Sequence, residues 1–253
     1  MEKLPLSPDD ARKTRSDGVQ SRERLLLAAM RLFAEQGFAK TSTREIALAA
    51  GTNIASISYY FGDKAGLYRA AFTEPAPHCR EDLATMANPD ATLRESLLEF
   101  YSKLLSPLKQ GDLARLCMRL WYREMLEPTG LWNEEIDNGI RPAHAALMDL
   151  LGRHMGIADT DDDDLARLAF CVVGLAVHMM LARDVIDKIR PQLLDTAVAI
   201  DTWIARLVDY SEAMISAEQA RLASIASTAS IASIAAPAPA QKPPPRKKKN
   251  EAI

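Results

Sequence analysis

The chain has 253 residues, 31 Lys and Arg against 34 Asp and Glu, a formal net charge of −3, and 48% apolar residues. That apolar share is ample for a buried core and excludes a disordered polymer. Cys79, Cys117 and Cys171 form an odd, scattered set, which excludes a disulfide framework and a four-cysteine zinc site.

Met1 to Gln20 is polar, so no secretory leader is expected. The longest apolar run, Leu168 to Ala182, contains His178 and falls short of the ~20 residues that span a bilayer. A reducing, cytoplasmic setting without membrane contact follows as the expectation. Charge is divided along the chain. Residues 11–72 carry 10 Lys/Arg against 5 Asp/Glu, whereas 73–236 carry 15 against 25. A basic block beside an acidic body is the arrangement of a polyanion-facing module on a larger support.

Taken in order, residues 1–18 read as a flexible basic arm. Its Arg12, Lys13 and Arg15 either track a DNA minor groove or merely keep a terminus solvated. A helix is predicted from about Val19 to Gln36, with Leu26, Ala29, Met30 and Phe33 at helical spacing and Gly37 as its stop. Ser42 and Glu45 form a capping box opening a short helix to Ala50, which Gly51 ends. Asn53 caps a third helix, Ile54 to Phe61, and Gly62-Asp63 breaks the chain before a fourth at Ala65 to Phe72. Two short helices joined by a glycine turn and braced by a longer one have the form of a helix-turn-helix.

Beyond a linker at Pro75 and Pro77, the periodicity predicts helices over 91–109, 112–127, 132–154, 162–188 and 192–222. The 112–127 segment is apolar nearly all round and is expected inside the fold. Asp161 to Asp164 sit where a helix N-terminus favours negative charge, and no EF-hand spacing surrounds them, so no metal is expected. The last helix carries the stripe Leu193, Ala197, Ile200, Ile204, Leu207, Val208, Ser211, Met214 and Ile215. Such a stripe suits packing against a second copy or an intramolecular core. Residues 224–253, Ala/Ser/Pro-rich with Arg246 to Lys249 near the end, read as a disordered tail. The fold class is therefore all-α: a three-helix helix-turn-helix domain at 19–72 and a helical bundle at 73–223.

Residues 42–67 carry a specific pattern. Ser42-Thr43-Arg44-Glu45-Ile46-Ala47, Ala50-Gly51 and Ile57-Ser58-Tyr59-Tyr60-Phe61-Gly62-Asp63-Lys64-Ala65-Gly66-Leu67 together resemble the DNA-binding head of the TetR/AcrR repressors. Residues 53–62 are more narrowly similar to the branch that contains the cefoperazone and chloramphenicol sensitivity regulator. The resemblance implies a two-fold dimer whose third helix enters the major groove of an operator. By chemistry, Ser42 and Thr43 at a helix N-terminus suit a phosphate, and the Arg44 fork suits guanine N7 and O6. Ala55 and Ser58 are small enough to let the helix approach base edges, and Ile54 either touches a base or packs. Ser56, Tyr59 and Tyr60 offer hydroxyls to phosphates, with Tyr60 also expected partly in the core beside Phe61 and Ile57, and Lys64 reads as a phosphate clamp. Gly62 and Ser58 depart from the family's usual Pro and bulkier residue.

The family also implies a ligand cavity in the body that alters the spacing of the two heads. Its candidates here are Met118, Trp121, Tyr122, Met125, Trp132, His144, Met148 and His178, since Met and aromatic side chains build adaptable apolar pockets. Each of them alone is more often an ordinary core or packing residue than a ligand contact. Dinucleotide, P-loop, zincin and nucleophile-elbow motifs are all missing from the sequence, so neither an enzyme nor a cofactor is expected. The expected partners are a double-stranded DNA operator, a second copy bound through the helices at about 162–188 and 192–222, and a small apolar effector. The alternative is a DNA-binding adaptor or architectural protein without a small ligand.

Overall fold

The computed structural model describes residues 8–75, 82–84, 90–159 and 162–235, and every regular element among them is helical. The head holds α1 (Pro8–Gln36), α2 (Thr43–Ala49), α3 (Ala55–Phe61) and α4 (Lys64–Thr73). The body holds α5 (Leu93–Leu104), α6 (Ser106–Lys109), α7 (Asp112–Leu126), α8 (Leu131–Glu135) and α9 (Arg141–Met155). It continues with α10 (Asp163–Leu181), α11 (Arg183–Ile189) and α12 (Ala197–Ala235). Cys79, Pro77, Asp161 and the basic cluster at Arg246 to Lys249 lie outside the described residues.

Side-chain caps write the helix starts. The Ser42 hydroxyl accepts from the Glu45 N–H at 3.2 Å while the Glu45 carboxylate accepts from the Ser42 N–H at 2.8 Å. Thr92 and Glu95 repeat the box at the start of α5. Asp63 accepts from the Gly66 N–H at 2.7 Å, and Asp162 from the Leu165 N–H at 2.8 Å. Asp164 goes to Arg221 and Arg167, whose hydrogen bonds hold its carboxyl below the usual range. Within the described part of the acidic run, Asp162 is thus a helix cap and Asp164 an ion-pair partner.

Several boundaries differ from the expected ones, mostly for local reasons. The helix expected over 91–109 breaks at Leu105 because Pro107 lacks an N–H for the ladder. Pro142 acts likewise in 132–154: the chain widens into a π turn, Ile136–Ile140, before α9 resumes. The break between α10 and α11 has no proline or glycine. There Arg183 donates to the Leu194 carbonyl at 3.2 Å and pairs with Asp187, a tertiary contact that periodicity does not carry. α12 starts at Ala197, after a 3-10 turn at Pro191–Leu193, because Thr196 accepts from the Ala199 N–H at 3.1 Å. α1 begins at Pro8 rather than about Val19, so the helix takes in residues 8–18 of the expected arm, with Arg12, Lys13 and Arg15. α12 continues to Ala235 rather than stopping near 222, since the Ala-rich repeat has high helix propensity.

Two apolar clusters hold the molecule together. The body cluster joins Leu97, Phe100 and Tyr101 of α5 to α9, α10 and α12. Ile200, Ile204, Leu207, Val208, Ser211 and Ile215 of α12 are buried in it, so this part of the predicted stripe serves the intramolecular core. Leu193 and Ala197 of that stripe are exposed. The head cluster gathers Leu25, Met30, Phe33, Ile46, Ile57, Leu67 and Tyr68, together with Leu120 of α7 and Leu131 of α8. Packing therefore does not divide at residue 72. α7 lies between the clusters, with Leu120 in the head core and Met118 against the body core.

α10 is long and apolar enough, by length and composition, to cross a membrane: 19 residues with mean hydropathy 1.7. Here its Leu165, Leu168, Ala169, Val172, Ala176 and Met179 are buried in the body core. Its outer face leaves Phe170, Cys171, Gly174, His178 and Leu181 exposed.

Candidate nucleic-acid interface

The head presents α3 outward because only one side of it is needed for packing. Ile57 is 2% exposed and anchors the helix, while Ala55, Ser58 and Tyr59 face solvent. Asn53 accepts from the Ala55 N–H at 2.9 Å and fixes the start of the helix. Gly51, at φ +62°, makes the turn from α2, and Gly62, at φ +80°, ends α3 in a conformation that L side chains rarely adopt.

Thr43, Ile54, Ala55, Ser58 and Lys64 line one open concavity with Ile57, Gly62 and Asp63. Five of the ten predicted DNA contacts thus converge from three helices. Ile54 is 50% exposed at the rim, which favours a contact role over a core one. Arg44 is exposed on α2. Tyr59 is 82% exposed, and Ser56 is half-buried.

Three of the predicted contacts also engage the protein itself. The Ser42 hydroxyl both accepts from the Glu45 N–H and donates to the Glu45 carboxylate at 2.8 Å, so the cap engages it. The hydrogen bonds from the Ser42 N–H and then from its hydroxyl hold the Glu45 carboxyl below its ordinary range. Half-buried Tyr60 packs against the head core, and a Cβ on Gly18 of α1 would lie 3.3 Å from its hydroxyl. The Lys64 ammonium rests over the Phe38 ring, 4.4 Å from its centroid, which positions the cation without neutralising it.

Two features escaped the sequence reading. Leu48 stands one turn after Arg44 on the same side of α2 and is 81% exposed, where an apolar residue reads as core by periodicity. Gly66 lets α4 start against the end of α3: a Cβ there would lie 2.0 Å from the Phe61 carbonyl oxygen.

Residues 25–71 match the family described as bacterial regulatory proteins, tetR family, and residues 93–218 match the C-terminal domain of the HTH-type transcriptional dual regulator CecR. The chain is 32% identical to the dual regulator CecR of Shigella flexneri over 180 residues, 67% of this chain and 79% of that protein. The chain belongs to the TetR family. Its CecR-like C-terminal domain places it in that branch, as a DNA-binding transcriptional regulator and not an enzyme. Among solved structures, a TetR-like regulator from Rhodococcus sp. RHA1 aligns with a TM-score of 0.52 at 18% identity, over 83% of this chain and 99% of that one. NalD, the secondary repressor of the MexAB-OprM multidrug efflux pump in Pseudomonas aeruginosa, aligns at 0.51 and 19% identity, over 78% and 97%.

The ligand candidates of this TetR-family regulator divide among several places. Trp121 stands edge-on to both Tyr122 and Trp132, with centroids 5.1 and 4.9 Å away, and donates its indole N–H to Glu135 at 2.9 Å. Burial pushes the Tyr122 phenol well above its ordinary range. Met148 is buried in the body core with Met118 at its edge, and Met125 is half-buried on α7. His144 stacks on Phe170, 4.3 Å between centroids, and burial lowers its pKa. His178 is exposed on the outer face of α10. The contacts gather three of the eight, because α7 turns Trp121 toward the head core while Met118 and Met148 serve the body.

Proposed function

We propose that this regulator is a dimeric repressor that reads a palindromic operator with α3 and is released by a small, largely apolar molecule. The observation that carries the reading is the concavity lined by Thr43, Ala55, Ser58 and Lys64, where small residues let the helix axis close on base edges. Two such helices, held about 34–36 Å apart, meet successive major grooves. NalD, described as a repressor, supports that sign of regulation. The outer face of α10 is the surface offered for the two-fold contact. An effector that binds better to a form with another head spacing lowers operator affinity tenfold for ~1.4 kcal/mol of coupling. Trp121, Tyr122 and Trp132 are the proposed anchors for it, and the protein acts in the cytoplasm, beside its DNA.

A footprint of the purified protein on the DNA upstream of its own gene tests the reading. A protected, two-fold symmetric site is the expected result; no protection at any concentration overturns it. The dispersal of the ligand candidates favours one second reading, a DNA-binding adaptor without a small ligand. A panel of apolar compounds that leaves operator binding untouched would establish that version.

A further inference from the structure

Glu124 of α7 is fully buried, at 0% exposure, yet accepts its hydrogen bonds from three different parts of the chain. The Tyr68 hydroxyl of α4 donates to it at 2.6 Å. The Thr129 N–H donates at 2.8 Å, and the Thr129 hydroxyl at 3.0 Å. The Trp132 N–H, in the first turn of α8, donates at 3.2 Å. Gly130 stands at the N-cap of α8 and has no side chain to cap it, so Glu124 serves that helix from a distance. Its sequence neighbour Arg123 reaches the other way, donating to the carbonyls of Ala34 and Glu35 at the end of α1 at 3.2 and 3.1 Å. Two consecutive residues of α7 thus fasten the head at two points. Arg69 of α4 and Glu134 of α8 pair at 2.9 Å across the same joint.

The two fastenings differ in kind. Arg123 keeps part of its side chain in solvent, and its carbonyl contacts tolerate small slides. Glu124 is a buried carboxylate that forms no ion pair among the described residues, and losing a donor in such a site is costly. Burial, with the hydrogen bond to Glu124, keeps the Tyr68 phenol protonated and so a donor. Any movement of α8 relative to α7 must disturb the Trp132 and Thr129 bonds that share this carboxylate with Tyr68.

We propose that Glu124 is the positioning residue that sets the angle of the DNA-binding head on the body, through Tyr68, and so selects the half-site separation of the operator. Movement at the Trp121 and Trp132 side of the body reaches α4 by way of this carboxylate. The inference rests on the operator-binding reading for its DNA consequence, while the joint itself is measurable without DNA.

The test uses the full-length protein and Tyr68→Phe, which keeps the ring against Phe33 and Phe38 and removes only the hydroxyl. Palindromic duplexes recovered by selection with the native protein are remade with the half-sites one and two base pairs closer or farther. Native protein should bind the selected spacing at least tenfold better than the shifted ones. Tyr68→Phe should bring that ratio to within about threefold of parity while binding a single half-site as the native protein does. Glu124→Gln, which still accepts hydrogen bonds, should lie between the two. A lowered melting temperature with the native ratio retained would make the pair merely structural and overturn the proposal. A second measurement reads the distance between spin labels at exposed Ala65 and Gln219, with the native cysteines replaced and labelled chains diluted into unlabelled protein. One narrow distance should broaden in Tyr68→Phe; an unchanged distribution sinks the inference. A distance that responds in a protein that selects no duplex overturns the operator reading while leaving the joint standing.

Discussion

At the scale of single residues, the head depends on places where nothing larger fits and on cations held in place. In Gly66→Ala, helix propensity favours alanine by ~1 kcal/mol, but a contact of 2.0 Å with backbone forces α3 and α4 apart. Overpacking of this kind costs about 1–3 kcal/mol, and at backbone contact it falls at or above the top of that range. The denaturant midpoint should therefore fall and operator binding fail with it; a more stable variant would contradict the geometry. Arg44 and Lys64 separate by role. Lys64→Ala should weaken binding to every sequence alike and flatten the salt slope by about one unit. Arg44→Ala should relax base preference at one position per half-site, at a cost of ~1–3 kcal/mol. Titrations on operator variants at several salt concentrations tell the two apart, and swapped phenotypes would reverse the assignment.

At the scale of elements, the caps make an acid-sensitivity prediction. Glu45 and Glu95 have folded pKa values lowered by hydrogen bonds from Ser42 and Thr92. A lowered carboxyl contributes stability in full above its unfolded value and loses it as pH falls through the lowered folded value. The starts of α2 and α5 should therefore fray in acid while the cores persist. The protection of the Glu45 and Glu95 amides, exchange scaled by the intrinsic rate at each pH, should fall as the pH drops, whereas Ser42→Ala should show lowered protection at Glu45 at neutral pH already. Protection at Glu45 that ignores both pH and the substitution would remove the cap from the account. The Ser42–Glu45 cap was legible because a capping box is a local pattern of two residues three apart; the Thr92–Glu95 box obeys the same rule and went unread inside a long apolar period. The order of α1 to α4 and the outward face of α3 were legible for the same reason. What the sequence did not reveal needed contacts across long separations: the α10–α11 break at Arg183, the Tyr68–Glu124 bond, and the division of the ligand candidates. Pro107 and Pro142 are a different case, since both breaks were written locally and overridden by strong apolar periodicity.

At the scale of the whole molecule, the exposed face of α10 carries the prediction about assembly. Phe170 is 63% exposed, so Phe170→Glu should leave the subunit folded. A charge there would instead weaken the two-fold contact at least tenfold, ~1.4 kcal/mol, and operator affinity would drop with it. Sedimentation at graded concentrations reads the change; an unaltered dimer would place the contact elsewhere. The α12 stripe offers a lesson about scale as well. Its periodicity was plain, but whether it met its own chain or another could be decided only by the packing, and Ile200 to Ile215 meet their own.

The shared core of head and body has a consequence for ancestry and for engineering. A reader helix whose floor is built partly by Leu120 and Leu131 is not a portable cartridge. Transplanting residues 8–75 onto a foreign sensor would import the writing surface without the hand that steadies it. A working chimaera has to carry the stretch from Leu116 to Trp132 along, and recombination between relatives should tolerate crossovers beyond Trp132 far better than those at the linker.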